Sequence, residues 1–224
     1  RVSSSHIRIG TFEFFSAKKD FVSVKKLTDY TIKRHFPEIL SSKNLYKSFL
    51  DKIIESQAKL IAQWMNVGFI HGVMNTDNTS ISGQTIDYGP CAFMNNFDPN
   101  TVYSFIDVYG RYSYGNQPKI MLWNLSKFAE CISFLINENQ EEASKIILKS
   151  LSKFPQLFEK FWIKTISEKI GLFQSMKENR KLIEKLLEIM FQQKTDFTLT
   201  FRTLSESIDN DEKKKSFSRF LKII

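Results

Sequence analysis

The positions of glycine and proline most constrain how this chain folds. Residues 70–123 contain five of the eight glycines and three of the five prolines. Both residue types interrupt helices, glycine through its backbone freedom and proline through its missing N–H group. The segments on either side have few of either and repeat apolar residues at helical spacing. The pattern therefore predicts a helical region, a central loop region and a second helical region.

The clearest helix of the first region spans residues 43–67. Its apolar residues recur at the spacing of a buried helical stripe: Ile54, Ala58, Ile61, Ala62 and Met65. Ser41 and Ser42 are the expected N-caps, because a side-chain oxygen can accept from the first free N–H groups. Gly68 is expected to end this helix, as glycine often does after a last helical turn.

The second helical region is predicted to begin at Asn124. It contains one clear apolar helix face, formed by Leu182, Ile183, Leu186, Leu187 and Met190. The three tryptophans are expected in the core: Trp64, Trp123 and Trp162. Since no repeat, low-complexity tract or linker interrupts the pattern, residues 1–224 are predicted to form one mainly α domain.

Composition limits the class of protein further. The chain is 42% apolar, which predicts a packed core, and no run of 18 apolar residues indicates a membrane span. The net charge of +8 is scattered and accompanies no DNA- or RNA-binding motif, so nucleic acid is not an expected partner. Cys91 and Cys131 lack the spacing of a zinc site and are expected to be buried free thiols in a reducing compartment.

The segment HGVMNTDNTSISGQTIDYGP, residues 71–90, has side chains suited to a magnesium–nucleotide site. Asp77 and Asn78 are adjacent, and Asp87 follows nine residues after Asn78. Phosphoryl-transfer enzymes hold Mg²⁺ with one or two carboxylates, an amide oxygen and phosphate oxygens. In protein kinases an Asn and the Asp of an Asp-Phe-Gly triplet supply these ligands. Asn78 and Asp87 are therefore the candidate metal ligands.

A small β hairpin is predicted between the two candidate ligands. Short β pieces fit residues 80–82 and 85–86, around a turn at Gly83. Gly89, two residues after Asp87, is expected to give the backbone freedom there.

One position departs from the kinase pattern H-x-D-x-x-x-x-N. His71 and Asn78 have the right separation, but Val73 stands where the catalytic aspartate belongs. Valine cannot accept a proton, so Asp77 is the remaining acid of the loop and the candidate base. His71 is expected to brace the loop through a backbone or carboxylate contact. A purely local role for the Asp-Asn pair, as backbone hydrogen-bonders in a turn, is the alternative.

Residues 111–117 fall where a kinase activation segment would lie. Two interpretations stay open for their polar and aromatic side chains, a substrate groove or structural packing. The residues concerned are Arg111, Tyr112, Tyr114, Asn116 and Gln117.

Together these segments resemble the selenoprotein O family of kinase-like proteins. Residues 71–90 are similar to the signature of that family. Three further blocks resemble its other characteristic segments: RVSSSHIRIGTFEFF, GRYSYGNQPKIMLWNL and KTDFTLTFRTL. The resemblance therefore extends over nearly the whole chain.

The resemblance implies a kinase-like C-terminal lobe with a C-terminal helical extension, and protein adenylylation. Members of the family bind ATP in an inverted pose and transfer AMP to Ser, Thr or Tyr hydroxyls of proteins. Carried over, Asp77 activates the hydroxyl, and Asn78 and Asp87 hold Mg²⁺. Arg1 and Arg8 contact the outer phosphates. The nucleotide-covering N-terminal lobe of the family is expected to lie outside this chain.

Two rival functions stay open. One is an ordinary phosphotransferase with Asp77 as base, and the other is a truncated, inactive pseudokinase-like binding module. The expected partners are ATP and hydroxyl-bearing protein substrates. The expected compartment is the bacterial cytoplasm, or the mitochondrion if the source is eukaryotic.

Overall fold

The computed structural model describes residues 2–172 and 176–207, and this part of the chain is mainly helical, as predicted. The helices are α1 Ile9–Ala17, α2 Phe21–His35, α3 Leu45–Asn66, α4 Gln117–Ile136, α5 Gln140–Leu151, α6 Phe154–Lys169, α7 Met176–Gln192 and α8 Phe197–Glu206. Strands β1 (Phe69–Ile70) and β2 (Ala92–Phe93) pair antiparallel. Short 3-10 helices lie at Pro37–Ile39, Thr76–Asn78 and Tyr114–Asn116.

Helix α3 is the centre of the packing. It contacts α4, α5, α6 and β1, and half of its 22 residues are buried. Phe49 of this helix packs edge-to-face on Phe128 of α4, with ring centroids 5.7 Å apart, and Phe12 of α1 packs on the same ring at 5.1 Å. Such aromatic pairs add packing energy to the apolar area they bury. The three helices therefore form one continuous core.

The ends of α3 test two sequence predictions. Gly68 follows the helix with a φ of 70°, a left-handed conformation that glycine adopts without strain, so this prediction is confirmed. The predicted caps Ser41 and Ser42 are wrong. Asn44 caps the helix instead, because its side chain accepts from Lys47 N at 3.0 Å.

The second helical region begins earlier than predicted. Helix α4 starts at Gln117 rather than Asn124. Pro118 lies in its first turn, where a missing N–H group leaves no helical hydrogen bond unmade. Pro118 belongs to the proline-rich segment predicted as loop, but proline is compatible with the first turn of a helix.

The predicted hairpin is wrong in position. The two-stranded sheet joins the ends of the loop, pairing Phe69 with Phe93 and Ile70 with Ala92. Residues 80–82 and 85–86 form no regular strands, and only an isolated bridge joins Thr79 to Thr85. The backbone of residues 79–81 pairs instead with residues 7–9: Ile9 N donates to the Thr79 carbonyl at 3.0 Å, and Ile81 N donates to the Ile7 carbonyl at 2.9 Å. The N-terminal segment, about 70 residues away in sequence, therefore takes the backbone hydrogen bonds that a local hairpin would have used.

Several side-chain predictions are settled by burial. Trp64 is buried as predicted, whereas Trp123 is 41% exposed beneath the guanidinium of Arg111, 4.8 Å from its ring centroid. On α7, Leu182 is exposed, although Ile183, Leu186 and Met190 are buried as predicted. Cys131 is buried as predicted. Trp162, Leu187 and Cys91 are only partly buried. Among the described residues, no helix has the length and apolar character to cross a membrane.

Candidate functional site

The site loop, residues 71–90, forms one open cavity of about 310 Å³. The cavity lies between two parts of the loop and is lined by Val73, Asn78, Asp87, Tyr88, Gly89 and Pro90. Both candidate metal ligands, Asn78 and Asp87, therefore line the same space. The β1–β2 pairing brings the two ends of the loop together and closes it into this shape.

Asn78 lies in a 3-10 turn, Thr76–Asn78, which we call the DN turn. Asn75 caps this turn, since its side chain accepts from Asn78 N at 3.1 Å. The side chain of Asn78 donates through Nδ2 to the carbonyl of Val73 at 2.9 Å. The amide nitrogen is thereby committed to the loop. The oxygen Oδ1 is the atom that this side chain can offer to a cation.

Asp87 is held by an arginine from the N-terminal segment. Arg8 Nη2 lies 2.9 Å from Oδ2 and 3.1 Å from Oδ1 of Asp87. Both side chains are partly exposed, at 38% and 27%. Arg8 and Asp87, both predicted as site residues, are therefore brought together, and the arginine contacts the candidate metal ligand directly.

We predicted that the backbone at Gly89 needs the conformational freedom of glycine, but the residue with the left-handed backbone is Asp87. Asp87 itself has a φ of 55°, whereas the positive-φ glycines do not include Gly89. A β-carbon added at Gly89 would meet only the Asp87 carbonyl, at 3.9 Å. Asp87 tolerates the left-handed region better than most residues, and Gly89 N donates to the Asp87 carbonyl at 2.8 Å. Gly89 lines the cavity but is not required by its conformation.

Asp77 is exposed and lies beside the cavity-lining residues, against the start of α1. A β-carbon added at Gly10, the second residue of α1, would lie 1.9 Å from Asp77 Oδ1 and 3.2 Å from its Cα. Glycine is required here for close approach. The N-terminal N–H groups of a helix favour a nearby negative charge, so α1 gives this carboxylate a favourable position.

His71 has the bracing contact predicted for it. Its side chain is fully buried, and Nε2 lies 2.8 Å from the Ile86 carbonyl oxygen. The imidazole ring stacks on the ring of Trp64, with centroids 5.4 Å apart. Burial lowers the pKa of His71, although the Ile86 hydrogen bond and the charge of Asp87 act in the opposite direction. A neutral ring that donates from Nε2 to a carbonyl holds residues 71 and 86 together and has no exposed base.

Three buried amide side chains hydrogen-bond to the backbone of the site loop, and the sequence analysis identified only Gln117, as one of the polar residues of the 111–117 segment. Gln57 Nε2 donates to the Ser80 carbonyl at 2.6 Å, and Gln117 Oε1 accepts from His71 N at 3.0 Å. Asn124 Nδ2 donates to the Met74 carbonyl at 3.1 Å. All three are 0% exposed. The available signal was a polar residue on the apolar face of a helix, such as Gln57 beside Ala58 and Ile61.

Structural packing explains some side chains of residues 111–117, and the substrate-groove interpretation stays open for the exposed ones. Tyr114 is buried and donates from its hydroxyl to the Met65 carbonyl at 2.6 Å, and Gln117 is buried as well, so packing explains these two. Arg111 is exposed over Trp123, and the Asp107 carboxylate accepts from its backbone N at 2.8 Å. Arg1, the other predicted phosphate-binding residue, lies outside the described residues.

The fold and the site define a mainly α-helical protein with a polar, loop-borne cavity. A family model described as "Protein adenylyltransferase SelO" matches residues 1–223. The chain therefore belongs to the SelO family, which confirms the resemblance found in its sequence.

Individual relatives agree with this assignment. The chain is 51% identical over 220 residues to "Protein nucleotidyltransferase YdiU" of Clostridium perfringens strain SM101, covering 98% of this chain and 45% of the relative. It is 52% identical over 211 residues to the protein of the same name from Bacillus cereus strain B4264, covering 94% and 43%. The chain thus spans less than half the length of these curated relatives.

Proposed function

We propose that this chain supplies catalytic residues of a Mg²⁺-dependent protein adenylyltransferase, which moves AMP from ATP to Ser, Thr or Tyr hydroxyls. The observation that carries the proposal is the shared cavity of Asn78 and Asp87 in a member of the SelO family. The chain would form a kinase-like C-lobe. The mainly helical scaffold supports this, as does the spacing of His71 and Asn78, which matches that of the kinase catalytic loop. The proposal also places the transfer in the cytoplasm of a bacterium, consistent with the bacterial sources of the relatives.

The donor atoms fit a magnesium ion. Asp87 offers a carboxylate and Asn78 an amide oxygen, the hard oxygen ligands that Mg²⁺ takes beside phosphate oxygens and water. No group of three or more His, Cys, Asp and Glu side chains in the described ranges is arranged to hold a metal. A metal in this cavity would therefore take further ligands from the nucleotide. When bound, Mg²⁺ would neutralise phosphate charge and stabilise the leaving group.

Arg8 is the residue we expect to bind the outer phosphates. Its guanidinium already lies at the edge of the cavity through its contacts with Asp87. A planar guanidinium binds phosphate oxygens bidentately, so it can exchange one anion for another. Binding of the nucleotide would break the Arg8–Asp87 ion pair, and Arg8 would then bind the phosphate. Asp87 would then be available to the metal.

Asp77 is the expected general base. Asp77 is exposed, so an incoming hydroxyl can reach its carboxylate from solvent. In the reaction, the hydroxyl oxygen forms a bond to the α-phosphorus, and the bond from that phosphorus to the bridging oxygen breaks. Pyrophosphate leaves and the hydroxyl proton passes to Asp77. A positioned base of this kind contributes about a hundredfold to ten thousandfold in rate.

Ordinary phosphotransfer is the alternative within the same chemistry. Against it stands Val73, which lines the cavity at the position of the kinase base and has no proton-accepting side chain. A binding module without activity is the second alternative, and the labelling experiment below distinguishes it from both transferases.

The test uses ATP labelled on either the α- or the γ-phosphate, with Mg²⁺, on this chain and on any longer native form. We expect protein-bound label from α-labelled ATP alone. Asp87→Ala should abolish it, because the carboxylate ligand is lost, whereas Asp98→Ala, outside the cavity, should retain it. Label from the γ-phosphate alone would establish a kinase. No label in any form would favour the binding module, and full activity in Asp87→Ala would refute the metal assignment.

A further inference from the structure

A single buried side chain of α4 holds both ends of the DN turn. Asn124 is 0% exposed, and its Nδ2 donates to the Met74 carbonyl at 3.1 Å and to Thr79 Oγ1 at 2.9 Å. Met74 precedes the DN turn and Thr79 directly follows it. A carbonyl can only accept, so the Met74 contact fixes which end of the Asn124 amide faces the turn.

The network continues from Asn124 to the candidate metal ligand. Thr79 Oγ1, which accepts from Asn124, donates its own proton to the Asn75 carbonyl at 3.0 Å. Asn75 in turn caps the DN turn through its contact with Asn78 N at 3.1 Å. The side chains of Asn124 and Thr79 therefore connect the core helix to the backbone of Asn75, whose carbonyl and side chain both accept from Asn78 N at 3.1 Å. These hydrogen bonds fix the backbone of residues 74–79 relative to α4.

The amide of Asn124 is satisfied at its nitrogen but not at its oxygen. Its Oδ1 is buried and, within the described part of the chain, has no hydrogen-bond partner. An aliphatic side chain would remove this unsatisfied acceptor, but it would also leave the Met74 carbonyl and Thr79 Oγ1 without the donor that Asn124 provides. The neighbouring core residues Leu125 and Phe128 on α4 are apolar. The side chain is thus explained better by what its nitrogen holds than by how it packs.

We propose that Asn124 is a positioning residue for nucleotidyl transfer, acting through Thr79 and Asn75 to set the DN turn. It fixes where Asn78 presents its amide oxygen to the metal and where the adjacent Asp77 meets the substrate hydroxyl. The inference rests on the proposed function, because only that function gives the position of the turn a chemical consequence. Outer partners of metal ligands typically change metal affinity or activity by about tenfold to a hundredfold when removed.

The experiment uses Mn²⁺ as a spectroscopic probe for the metal, and electron paramagnetic resonance measures the Mn²⁺ bound with ATP to the protein against the Mn²⁺–ATP complex alone. Asn124→Ala removes the donor, and Thr79→Val removes the hydroxyl while keeping the side-chain shape. Thr79→Ser restores the hydroxyl. The matched control is Asn179→Ala, since Asn179 is also a buried amide (4% exposed) whose Nδ2 donates to Ser167. Neither Asn179 nor Ser167 lines the cavity.

We expect Asn124→Ala to weaken Mn²⁺ binding by about tenfold to a hundredfold, and Thr79→Val to weaken it in the same direction. Amide hydrogen exchange at Asn78 should accelerate in both. Thr79→Ser should return both readouts toward the native values, and Asn179→Ala should lower the unfolding temperature without changing either one.

Two outcomes overturn the inference in distinguishable ways. Native protein that binds Mn²⁺ together with an Asn124→Ala variant that binds it equally well would refute the positioning role alone. Native protein, in every form tested, that binds no Mn²⁺ with ATP would refute the proposed function and the inference with it. A variant that unfolds is replaced by Thr79→Val, which keeps the core side chain of α4 intact.

Discussion

Individual residues place the charges of the site. Arg8 and Asp87 are 79 positions apart, yet one guanidinium nitrogen contacts both carboxylate oxygens. Partly exposed ion pairs of this kind contribute at most about 1 kcal/mol to stability. The pair therefore matters for where it holds Asp87 rather than for how strongly it stabilises the fold. Gly10 has a comparable role for Asp77, because it leaves room for the carboxylate.

At the residue scale we predict that Gly10→Ala reduces AMP transfer by about tenfold to a hundredfold, the effect of displacing a reacting group by about 1 Å. The added β-carbon would lie 1.9 Å from Asp77 Oδ1 in the native geometry, so the carboxylate must move. Initial rates with α-labelled ATP, measured beside thermal unfolding, check this.

Stability should respond much less to this substitution, because alanine is the better helix former. Thr11→Ala, the next position on α1, is the control and should retain its transfer rate. Native activity in Gly10→Ala would show that the position of Asp77 is not critical.

At the scale of elements, α4 acts as the platform of the site loop. Its first residue, Gln117, accepts from His71 N at 3.0 Å and donates to the Phe69 carbonyl at 3.0 Å. Asn124, two turns later, holds the DN turn. One helix therefore supports the site loop at its first residue, His71, and again at the DN turn. Sites supported from rigid helices keep their geometry better than sites built on loops alone.

We predict that Gln117→Leu lowers the free energy of unfolding by about 2 to 4 kcal/mol, because it leaves two buried backbone groups unsatisfied. Urea denaturation monitored by circular dichroism measures the change. Gln192→Leu at the end of α7 is the exposed control, and a surface substitution of this kind stays within about 0.5 kcal/mol. A loss equal to that of the control would mean that water replaces the two hydrogen bonds.

At the scale of the whole molecule, Lys169 joins three helices. From the end of α6 its Nζ donates to the Asn66 carbonyl of α3 at 2.6 Å. The same ammonium lies 3.8 Å from the ring centroid of Phe201 and 4.7 Å from that of Phe197, both on α8. Helix α8 is also tied to the central region, since Phe197 N donates to the Asn95 carbonyl at 2.6 Å. These contacts hold the last described helix against the end of α3.

Burial lowers the pKa of Lys169 to about 8, from an ordinary value of 10.5. Between these two values the unfolded chain binds more protons than the folded chain, so the free energy of unfolding contributed by Lys169 rises with pH. Below about pH 8 the lysine is protonated in both states and adds no pH dependence. The slope is at most about 1.4 kcal/mol per pH unit.

Urea denaturation of the native protein and of Lys169→Met at pH 7, 8, 9 and 10 tests this prediction. We expect the difference in stability to be constant up to pH 8 and then to change in favour of the native protein. The raised pKa values of Tyr114 and Cys131 act in both proteins, so they cancel in the difference. A constant difference throughout would show that the carbonyl and the two rings hold the proton on Lys169.

The sequence by itself determined the helical class, the position of α3 to within two residues at each end and the glycine that follows it. These follow from periodicity and backbone freedom, which are properties of neighbouring residues. It also determined the family, through motifs that extend over the chain, and it placed Asn78 and Asp87 in one loop, where both line the same cavity.

The tertiary structure alone decided how that loop is held. Residues 79–81 pair with residues 7–9 rather than forming a local hairpin, and Arg8 meets Asp87 across the chain. Gln57 and Asn124 are ordinary polar residues in the sequence, and only packing shows that they bind loop backbone. Buried backbone groups need hydrogen-bond partners. Which distant side chain provides each partner depends on how the helices pack, and local sequence does not encode that.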